Sequence, residues 1–332
     1  MTPLTDSTLL SIDDLHVGFR VFEGFLDVLN GVSLELGEGE RVGLVGETGC
    51  GKTTTVKSIL RVLPTPPARI TGGRILYRGK DILRLSRRAM RHLRRVELTA
   101  IFQDPLTSLN PVFTIGTQLR DVVRDSLAGS GTKLTHREVE ARCVKALAET
   151  GMADPERIMG SYPIQLSGGM RQRVCIAEAL STTAQLLLAD EPTTNLDVTI
   201  QDQILRKLDE LVDEKNVTVL IITHSLGVVM DLTQRLYIMY AGTMVEEGKT
   251  QEVFAKPLHP YSQGLMQSVP RLTGEGVSEG IPGRIPNYLD PPSGCRFHPR
   301  CEHAMPVCEE HKPPMLEAGI DRRVACFLYG GE

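Results

Sequence analysis

Two hydrophobic patterns alternate along residues 1–255. Short apolar runs, such as residues 41–45 and 217–223, are separated by stretches with helical spacing, such as residues 201–213. Short apolar runs are typical of buried strands, and helices between successive strands cover the faces of a parallel sheet. The pattern therefore predicts an α/β core with a largely parallel sheet wrapped by helices.

Residues from about 110 to 180 follow a different pattern. They are long, polar and helical in spacing, and they contain no convincing strand. Such a stretch cannot extend the sheet, because strands need short apolar or alternating runs. We therefore expect a helical subdomain inserted into the α/β core.

The composition changes near residue 256. Eleven of the 20 prolines and four of the seven cysteines lie in the last 76 residues. Proline lacks the N–H that helices and central strands need, so this segment cannot form a helical bundle or a regular sheet. We predict two domains, residues 1–255 and 256–332. The second is a small loop-rich domain that needs a cross-link to stabilise its fold.

Charge and hydropathy exclude several classes of protein. The 332 residues carry a formal net charge of -4, which gives no basic surface for nucleic acid. The N-terminus lacks the basic start and apolar core of a signal peptide, and no apolar run approaches the roughly 20 residues that span a bilayer. We expect a cytosolic chain whose cysteines are thiols or metal ligands rather than disulfides.

Residues 46–53 carry a phosphate-binding pattern. They fit G-x-x-x-x-G-K-[ST] between an apolar strand and a helical run. The glycines let backbone N–H groups converge on the α- and β-phosphates, Lys52 reaches the β/γ oxygens, and the Thr53 hydroxyl binds Mg²⁺. The predicted nucleotide contacts are Gly46, Glu47, Thr48, Gly49, Cys50, Gly51, Lys52, Thr53 and Thr54. Cys50 is expected to be inert to catalysis, although its closeness to the phosphates makes it a candidate for alkylation.

An aromatic side chain upstream of this loop could stack on the adenine ring. Phe19 is the first choice, and Phe22 and Phe25 follow closely. The alternative, that these are core aromatics, stays open at this point.

Polar side chains follow three predicted strands. Gln103 follows residues 98–102, Asp190 and Glu191 end an apolar run from residue 186, and His224 follows residues 219–223. Gln103 can ligate Mg²⁺ or the attacking water. Asp190 would hold the Mg²⁺ shell, and Glu191 would polarise the lytic water as general base. His224 is placed to hydrogen-bond the γ-phosphate.

The stretch Leu166-Ser167-Gly168-Gly169-Met170 narrows the family. Between a phosphate loop and an acidic strand end, it resembles the signature of the nucleotide-binding subunits of ABC transporters, and the resemblance covers essentially the whole chain. It implies that residues 46–53 form the Walker A loop, Gln103 the Q-loop, Asp190 the Walker B aspartate, Glu191 the catalytic glutamate and His224 the switch histidine. It also implies that Ser167, Gly168 and Gly169 bind the γ-phosphate of a nucleotide held by a second copy of the fold. Asp197 then belongs to a dimer-contact loop.

Three further stretches, residues 101–111, 197–201 and 259–265, resemble the ATPases of oligopeptide, dipeptide and nickel importers, of the D type. Departures are small. Met170 stands where a glutamine is usual, and Ser225 stands where an aspartate often follows the switch histidine. Neither removes a catalytic group, so we expect a site that hydrolyses ATP.

The resemblance implies an ATP- and Mg²⁺-dependent enzyme on the cytoplasmic face of the inner membrane. The expected partners are a second ATPase subunit, related or identical, two membrane permeases and an extracytoplasmic binding protein. ATP would close a sandwich of two cassettes and move the permeases. The transported substrate, whether peptide, nickel chelate, opine or oligosaccharide, is not encoded in this chain.

The C-terminal cysteines Cys295, Cys301, Cys308 and Cys326 have the spacing C-x5-C-x6-C-x17-C. Four thiolates in this pattern suit a tetrahedral site or a cubane, whereas zinc more often shows C-x2-C pairs. Zinc and free cysteines remain alternatives. The family resemblance implies a [4Fe-4S] cluster with a structural role, and a redox or iron sensor is the other possibility.

A rival function is that of a soluble ABC ATPase acting on DNA or ribosomes. Such proteins generally carry two cassettes in one chain, with coiled coils or zinc insertions inside the cassette. This chain has none of these features. The importer ATPase is therefore the leading hypothesis.

Overall fold

A computed structural model describes residues 8–129, 131–193, 198–268 and 280–330. The chain forms two compact units. Unit 1 comprises residues 1–37, 41–84 and 222–332, and unit 2 comprises residues 38–40 and 85–221. This division does not fall at residue 255, and the predicted domain boundary there stays a prediction.

The strands are β1 (Thr8–Val21), β2 (Gly24–Gly37), β3 (Arg41–Val45), β4 (Ala68–Tyr77), β5 (Lys80–Asp81), β6 (Leu98–Ile101), β7 (Leu186–Asp190), β8 (Thr218–Ile222), β9 (Arg235–Tyr240), β10 (Thr243–Lys249), β11 (Leu316–Glu317) and β12 (Arg323–Val324). The helices are α1 (Lys52–Leu60), α2 (Arg87–Val96), α3 (Pro105–Ser108), α4 (Ile115–Gly129), α5 (His136–Glu149), α6 (Pro155–Met159), α7 (Gly168–Leu180), α8 (Val198–Lys215), α9 (Leu226–Leu232), α10 (Thr250–Ala255), α11 (Pro260–Gln267) and α12 (Pro306–Glu310).

Unit 1 contains an antiparallel sheet in the order β2-β1-β4-β5. A turn at Phe22 and Glu23 joins β1 directly to β2, and a connection this short requires antiparallel strands. A second set of strands runs β11-β12-β10-β9-β3, in which only β3 and β9 pair in parallel. Unit 1 therefore also contains an antiparallel sheet that the prediction of a largely parallel core did not include.

The C-terminal extension packs on the core of unit 1 through aromatic rings. Phe297 lies edge-on to Tyr240 at 5.0 Å between ring centroids, and Tyr261 lies 5.5 Å from Phe297. All three side chains are buried, and aromatic rings bury large apolar areas. Short elements such as α12, β11 and β12 account for the regular structure of its last residues, in line with the predicted loop-rich character.

Unit 2 combines strands with a helical region. β6 and β7 pair in parallel, and β8 follows β7 in the strand order. Helices α4 to α7 bury a common core that includes Leu119, Leu147 and Val174. Helix α5 begins with a capping box, in which Thr135 and Glu138 satisfy each other's backbone N–H groups. The described residues between β6 and β7 contain helices and no strand, as expected for the inserted helical region.

Candidate active site and cysteine pocket

The phosphate-binding loop lies between β3 and α1 in unit 1. Its lysine, Lys52, is buried, and its ammonium donates to the carbonyl oxygens of Gly46 at 2.7 Å and Glu47 at 3.0 Å. The loop therefore closes around the lysine ammonium. The backbone N–H groups at the start of α1 and the partial positive charge of the helix end favour phosphate at this position.

Two glycines of the loop are required by the space around them. A Cβ at Gly46 would lie 2.1 Å from the carbonyl oxygen of Met239, on the neighbouring strand β9. Gly51 has a φ of +110, and a Cβ there would meet Leu29 at 2.6 Å. Any larger residue would displace the loop from the strands below it.

The expectation that Cys50 is open to alkylation is wrong. Its side chain is fully buried, and burial raises the pKa of the thiol. A neutral, buried thiol is a poor nucleophile, because the thiolate is the reactive form. The residue can contact a nucleotide only through its backbone.

The three aromatic candidates for adenine stacking lie on β1, the turn and β2. Phe19 is half-buried in β1, whereas Phe22 in the turn is fully exposed. The Phe25 ring lies against Gly18, where a Cβ would meet it at 2.2 Å. Phe25 is therefore held by its own hairpin, and Phe19 remains the predicted stacking residue.

The acidic strand end lies in unit 2, at the end of β7. Asp190 is 2% exposed, and Glu191 follows it with a φ of 51. A positive φ is uncommon outside glycine, and strained residues of this kind occur at functional sites as well as in turns. The roles predicted for Asp190 and Glu191 stay predictions.

Gln103 and Glu191 are brought together by the pairing of two strands. β6 and β7 are parallel neighbours, so the residues that follow them meet at the same edge. The Gln103 Nε2 donates to Glu191 Oε2 at 2.8 Å. The sequence predicted both residues separately, and the structure joins them in one polar pair.

The predicted signature lies at the N-terminus of α7. Ser167 caps this helix, and its hydroxyl accepts from the backbone N–H of Met170 at 3.3 Å. Ser167 and Gly168 are exposed, and a Cβ at Gly168 would meet nothing within 4 Å. The helix end therefore presents open backbone donors, a common environment for a phosphate.

The structure describes one of two further predicted residues. His224 is exposed and follows β8 in the chain. Asp197, the predicted dimer-contact residue, lies outside the described residues. The roles predicted for both stay predictions.

The four C-terminal cysteines line one small pocket in unit 1, together with His259 and Phe297. The backbone N–H of Cys295 donates to the carbonyl of Cys308 at 2.8 Å, which ties two of the cysteine segments together. Burial, together with the other cysteines nearby, raises the pKa of Cys295 to about 11. The spacing prediction therefore identified residues that converge in space.

The cysteines share this pocket without forming a metal-ligand group. Within the described residues, no three or more His, Cys, Asp or Glu side chains are placed so that they could hold a metal ion. The [4Fe-4S] cluster therefore stays a prediction.

Sequence reasoning missed His259 as a wall of this pocket. It is 1% exposed, its Nδ1 accepts from the backbone N–H of Tyr261 at 3.0 Å, and burial lowers its pKa to about 3. The imidazole is therefore neutral at physiological pH. The sequence indicates His259 only as the first residue of the stretch 259–265 that carries the family resemblance.

Three residues that contact the phosphate-binding loop were also missed. They are Tyr261, Tyr288 and Arg300, which hydrogen-bond to Glu47 or Gly49. They lie more than 200 positions away along the chain, so no local pattern could reveal them.

In the part of the chain that the structure describes, none of the helices combines the length and apolarity needed to cross a bilayer.

Two regions of the chain match known protein families. Residues 29–194 match the ABC transporter family, and residues 245–308 match the oligopeptide/dipeptide transporter C-terminal region. The fold is also that of solved ATP-binding cassettes. A dimeric cassette bound to ADP and Pi in a post-hydrolysis state aligns with a TM-score of 0.65 and 26% identity, over 73% of this chain and 99% of that one.

Relatives align over nearly their whole length. A probable peptide ABC transporter ATP-binding protein of Sinorhizobium fredii is 43% identical, over 96% of this chain and 94% of its own. The dipeptide transport ATP-binding protein DppD of Bacillus subtilis is 42% identical over the same shares. The oligopeptide transport ATP-binding protein OppD of Salmonella typhimurium is 43% identical, over 98% of this chain and 95% of its own. The predicted fold class is confirmed, and the chain belongs to the ATP-binding subunits of the oligopeptide/dipeptide family of ABC transporters.

Proposed function

We propose that this chain hydrolyses ATP to drive the import of peptides through a membrane permease. The observation that carries the hydrolytic part is the Gln103–Glu191 hydrogen bond of 2.8 Å at the acidic strand end. It holds a carboxylate beside the Walker B aspartate, where a general base is needed. The peptide substrate is inferred from the relatives, which are peptide, dipeptide and oligopeptide transport ATP-binding proteins.

Each predicted residue has a separate chemical task. Lys52 would exchange its loop carbonyls for the β/γ oxygens of ATP, and Thr53 and Asp190 would hold Mg²⁺. Glu191 would take the proton of the attacking water, and Gln103 would orient that carboxylate or the water. His224 would bind the γ-phosphate, where a hydrogen-bond donor stabilises the charge that develops during transfer.

The signature would act on another chain. Ser167 and Gly168 are exposed at the start of a 13-residue helix, with open space where a Cβ would stand. A γ-phosphate from a second ATPase subunit, related or identical, would find backbone donors and the positive helix end there. We therefore infer an ATP-dependent pair of cassettes.

An exposed apolar face in unit 2 suits the permease. Leu106, Val112 and Phe113 on one segment, and Tyr162 and Ile164 on another, are between 43% and 79% exposed. The backbone N–H of Ile115 donates to the carbonyl of Ser161 at 2.9 Å, which brings the two segments side by side. Clustered exposed apolar side chains favour a protein interface. We propose that a cytoplasmic segment of the permease binds here and holds the chain at the inner face of the membrane.

We further propose that Cys295, Cys301, Cys308 and Cys326 bind a [4Fe-4S] cluster. The proposal is supported by the convergence of the four cysteines on one pocket and by the match of residues 245–308 to the oligopeptide/dipeptide transporter C-terminal region. A cluster would cross-link a segment that has little core of its own.

A binding protein outside the membrane completes the proposed importer.

The test of the transport function is reconstitution with the permease subunits, the second ATPase and the binding protein in vesicles. ATP turnover should rise when peptide is added, and peptide should accumulate inside. Ile164→Asp should abolish this stimulation while leaving ATP binding by the isolated chain unchanged, because a charge on the apolar face opposes docking. A rate of ATP turnover that is the same with and without the permease would overturn the importer assignment.

The cluster is tested on anaerobically purified chain. We expect about four irons per chain and broad absorption, both lost in Cys301→Ser. The variant should also become sensitive to proteases in residues 280–330, whereas Cys143→Ser, which changes a buried cysteine of unit 2, should keep its iron. Stoichiometric zinc without iron would refute the cluster.

A further inference from the structure

The phosphate-binding loop contains an acidic side chain, Glu47, directly after Gly46. Its carboxylate is 27% exposed in a loop that must receive the polyanionic phosphates of ATP. Like charges at short range repel each other strongly where water is partly excluded. The loop therefore needs a partner that neutralises this carboxylate and fixes its direction.

Arg300 of the C-terminal extension is that partner. Its Nη1 donates to Glu47 Oε2 at 2.7 Å and its Nη2 donates to Glu47 Oε1 at 3.0 Å. The Arg300 side chain is only 5% exposed. A two-pronged bond of this kind fixes the carboxylate in orientation as well as in charge.

The guanidinium is itself held from several sides. Its Nε donates to the carbonyl of Pro282 at 2.7 Å, and its Nη2 donates to that of Ile281 at 2.9 Å. The group also lies over the Tyr240 ring at 5.6 Å from the centroid. Arg300 is therefore a fixed support to which the loop is attached.

Two tyrosines attach the backbone of the same loop. The N–H of Glu47 donates to the Tyr261 hydroxyl at 2.8 Å, and the Tyr288 hydroxyl donates to the carbonyl of Gly49 at 2.8 Å. The backbone between Gly46 and Gly51 is thus tied at Glu47 and at Gly49. Each of these bonds limits the conformations that the loop can adopt before nucleotide arrives.

We propose that Arg300 is a positioning residue for ATP binding, which acts by neutralising Glu47 and holding it in place beside the phosphate-binding loop. The inference rests on the proposed ATPase function, since it concerns the same loop. It assigns the C-terminal extension a share in nucleotide affinity. Because Cys301 follows Arg300 directly, disruption of the cysteine pocket should displace this arginine and weaken ATP binding as well.

The test measures the affinity of the isolated full chain for ATP by titration calorimetry. Arg300→Met should weaken binding about tenfold, as expected for the loss of a buried charged hydrogen-bond pair. The double variant Arg300→Met with Glu47→Gln should bind ATP more tightly than Arg300→Met alone, because the unpaired charge is gone. Equal affinity in Arg300→Met, or a double variant as weak as the single one, would overturn the proposal.

A matched control separates this effect from a loss of fold. Arg323 pairs with Glu247 between β12 and β10 in the same extension, and its ion pair involves no residue of the loop. Arg323→Met should leave ATP affinity unchanged. Arg300→Lys, which keeps the charge but loses the fork, should bind ATP with an affinity between those of the parent and Arg300→Met, and the opposite order would count against the proposal. A parent chain that does not bind ATP would instead refute the proposed function itself.

Discussion

The phosphate-binding loop and the signature helix both present backbone N–H groups at a helix N-terminus, yet their surroundings differ. The loop surrounds a buried Lys52 and is tied to Tyr261, Tyr288 and Arg300 of the same unit. At the signature, Ser167 caps its own helix and a Cβ at Gly168 would meet open space. The first region is therefore tied within one chain, and we propose that the second receives a ligand that another chain supplies.

The largest expected effect separates binding from turnover. Glu191→Gln should reduce ATP turnover of the assembled transporter at least about 100-fold, because the amide cannot accept the proton of the attacking water. ATP affinity of the isolated chain should not change, since the phosphate loop is untouched. Single-turnover assays and calorimetry measure the two quantities. An unchanged hydrolysis rate would remove Glu191 from its role as base.

A smaller effect concerns the helix that carries the signature. Burial raises the pKa of Glu178 in α7 to about 7, from an ordinary value of 4.5. The folded chain then holds this proton more tightly than the unfolded chain, so the free energy of unfolding falls as pH rises from about 4.5 to 7. Glu178→Gln should remove this loss. The free energy of unfolding of the variant should therefore exceed that of the parent by more than about 1 kcal/mol at pH 8, but not at pH 4. Urea unfolding at the two pH values measures the difference, and a gain independent of pH would contradict it.

The smallest effect tests the signature's own cap. Ser167→Ala should lower the free energy of unfolding by about 1 kcal/mol, because the backbone N–H of Met170 loses its acceptor. Ser167→Thr should recover most of this loss, since threonine also caps helices. Neither change should alter ATP affinity in the isolated chain. Identical urea midpoints for Ser167→Ala and the parent would show that the cap contributes nothing.

Local motifs account for what the sequence predicted well. Residues 46–53 form a loop whose glycines and lysine act within a few positions of one another, so their pattern is sufficient. Gln103 and Glu191 could be placed at strand ends separately. Their hydrogen bond depends on which strands are neighbours, and that information is not in either segment.

Contacts between distant segments account for what the sequence did not predict. Arg300 and Glu47 are 253 positions apart, and nothing near either residue indicates the other. The β1–β2–β4 sheet was not predicted, because the alternation of strands and helices in the core indicates parallel strands. The turn at residues 22–23, which makes β1 and β2 antiparallel, is not marked by that pattern. The burial of Cys50 likewise depends on the strands beneath the loop rather than on the loop pattern.

The most direct test of the division between the two regions uses Gly168→Asp, which places a negative charge where a γ-phosphate from another chain would bind. The site is exposed with open space, so the fold should tolerate the change, and Gly280→Asp, also exposed with open space, is the control. We predict that ATP affinity of the isolated Gly168→Asp chain equals that of the parent, while ATP turnover of the assembled transporter falls at least about 100-fold, because the added carboxylate repels the γ-phosphate and opposes closure. Weakened ATP binding in the isolated chain, or full turnover in the assembly, would contradict a signature that acts on another chain's nucleotide.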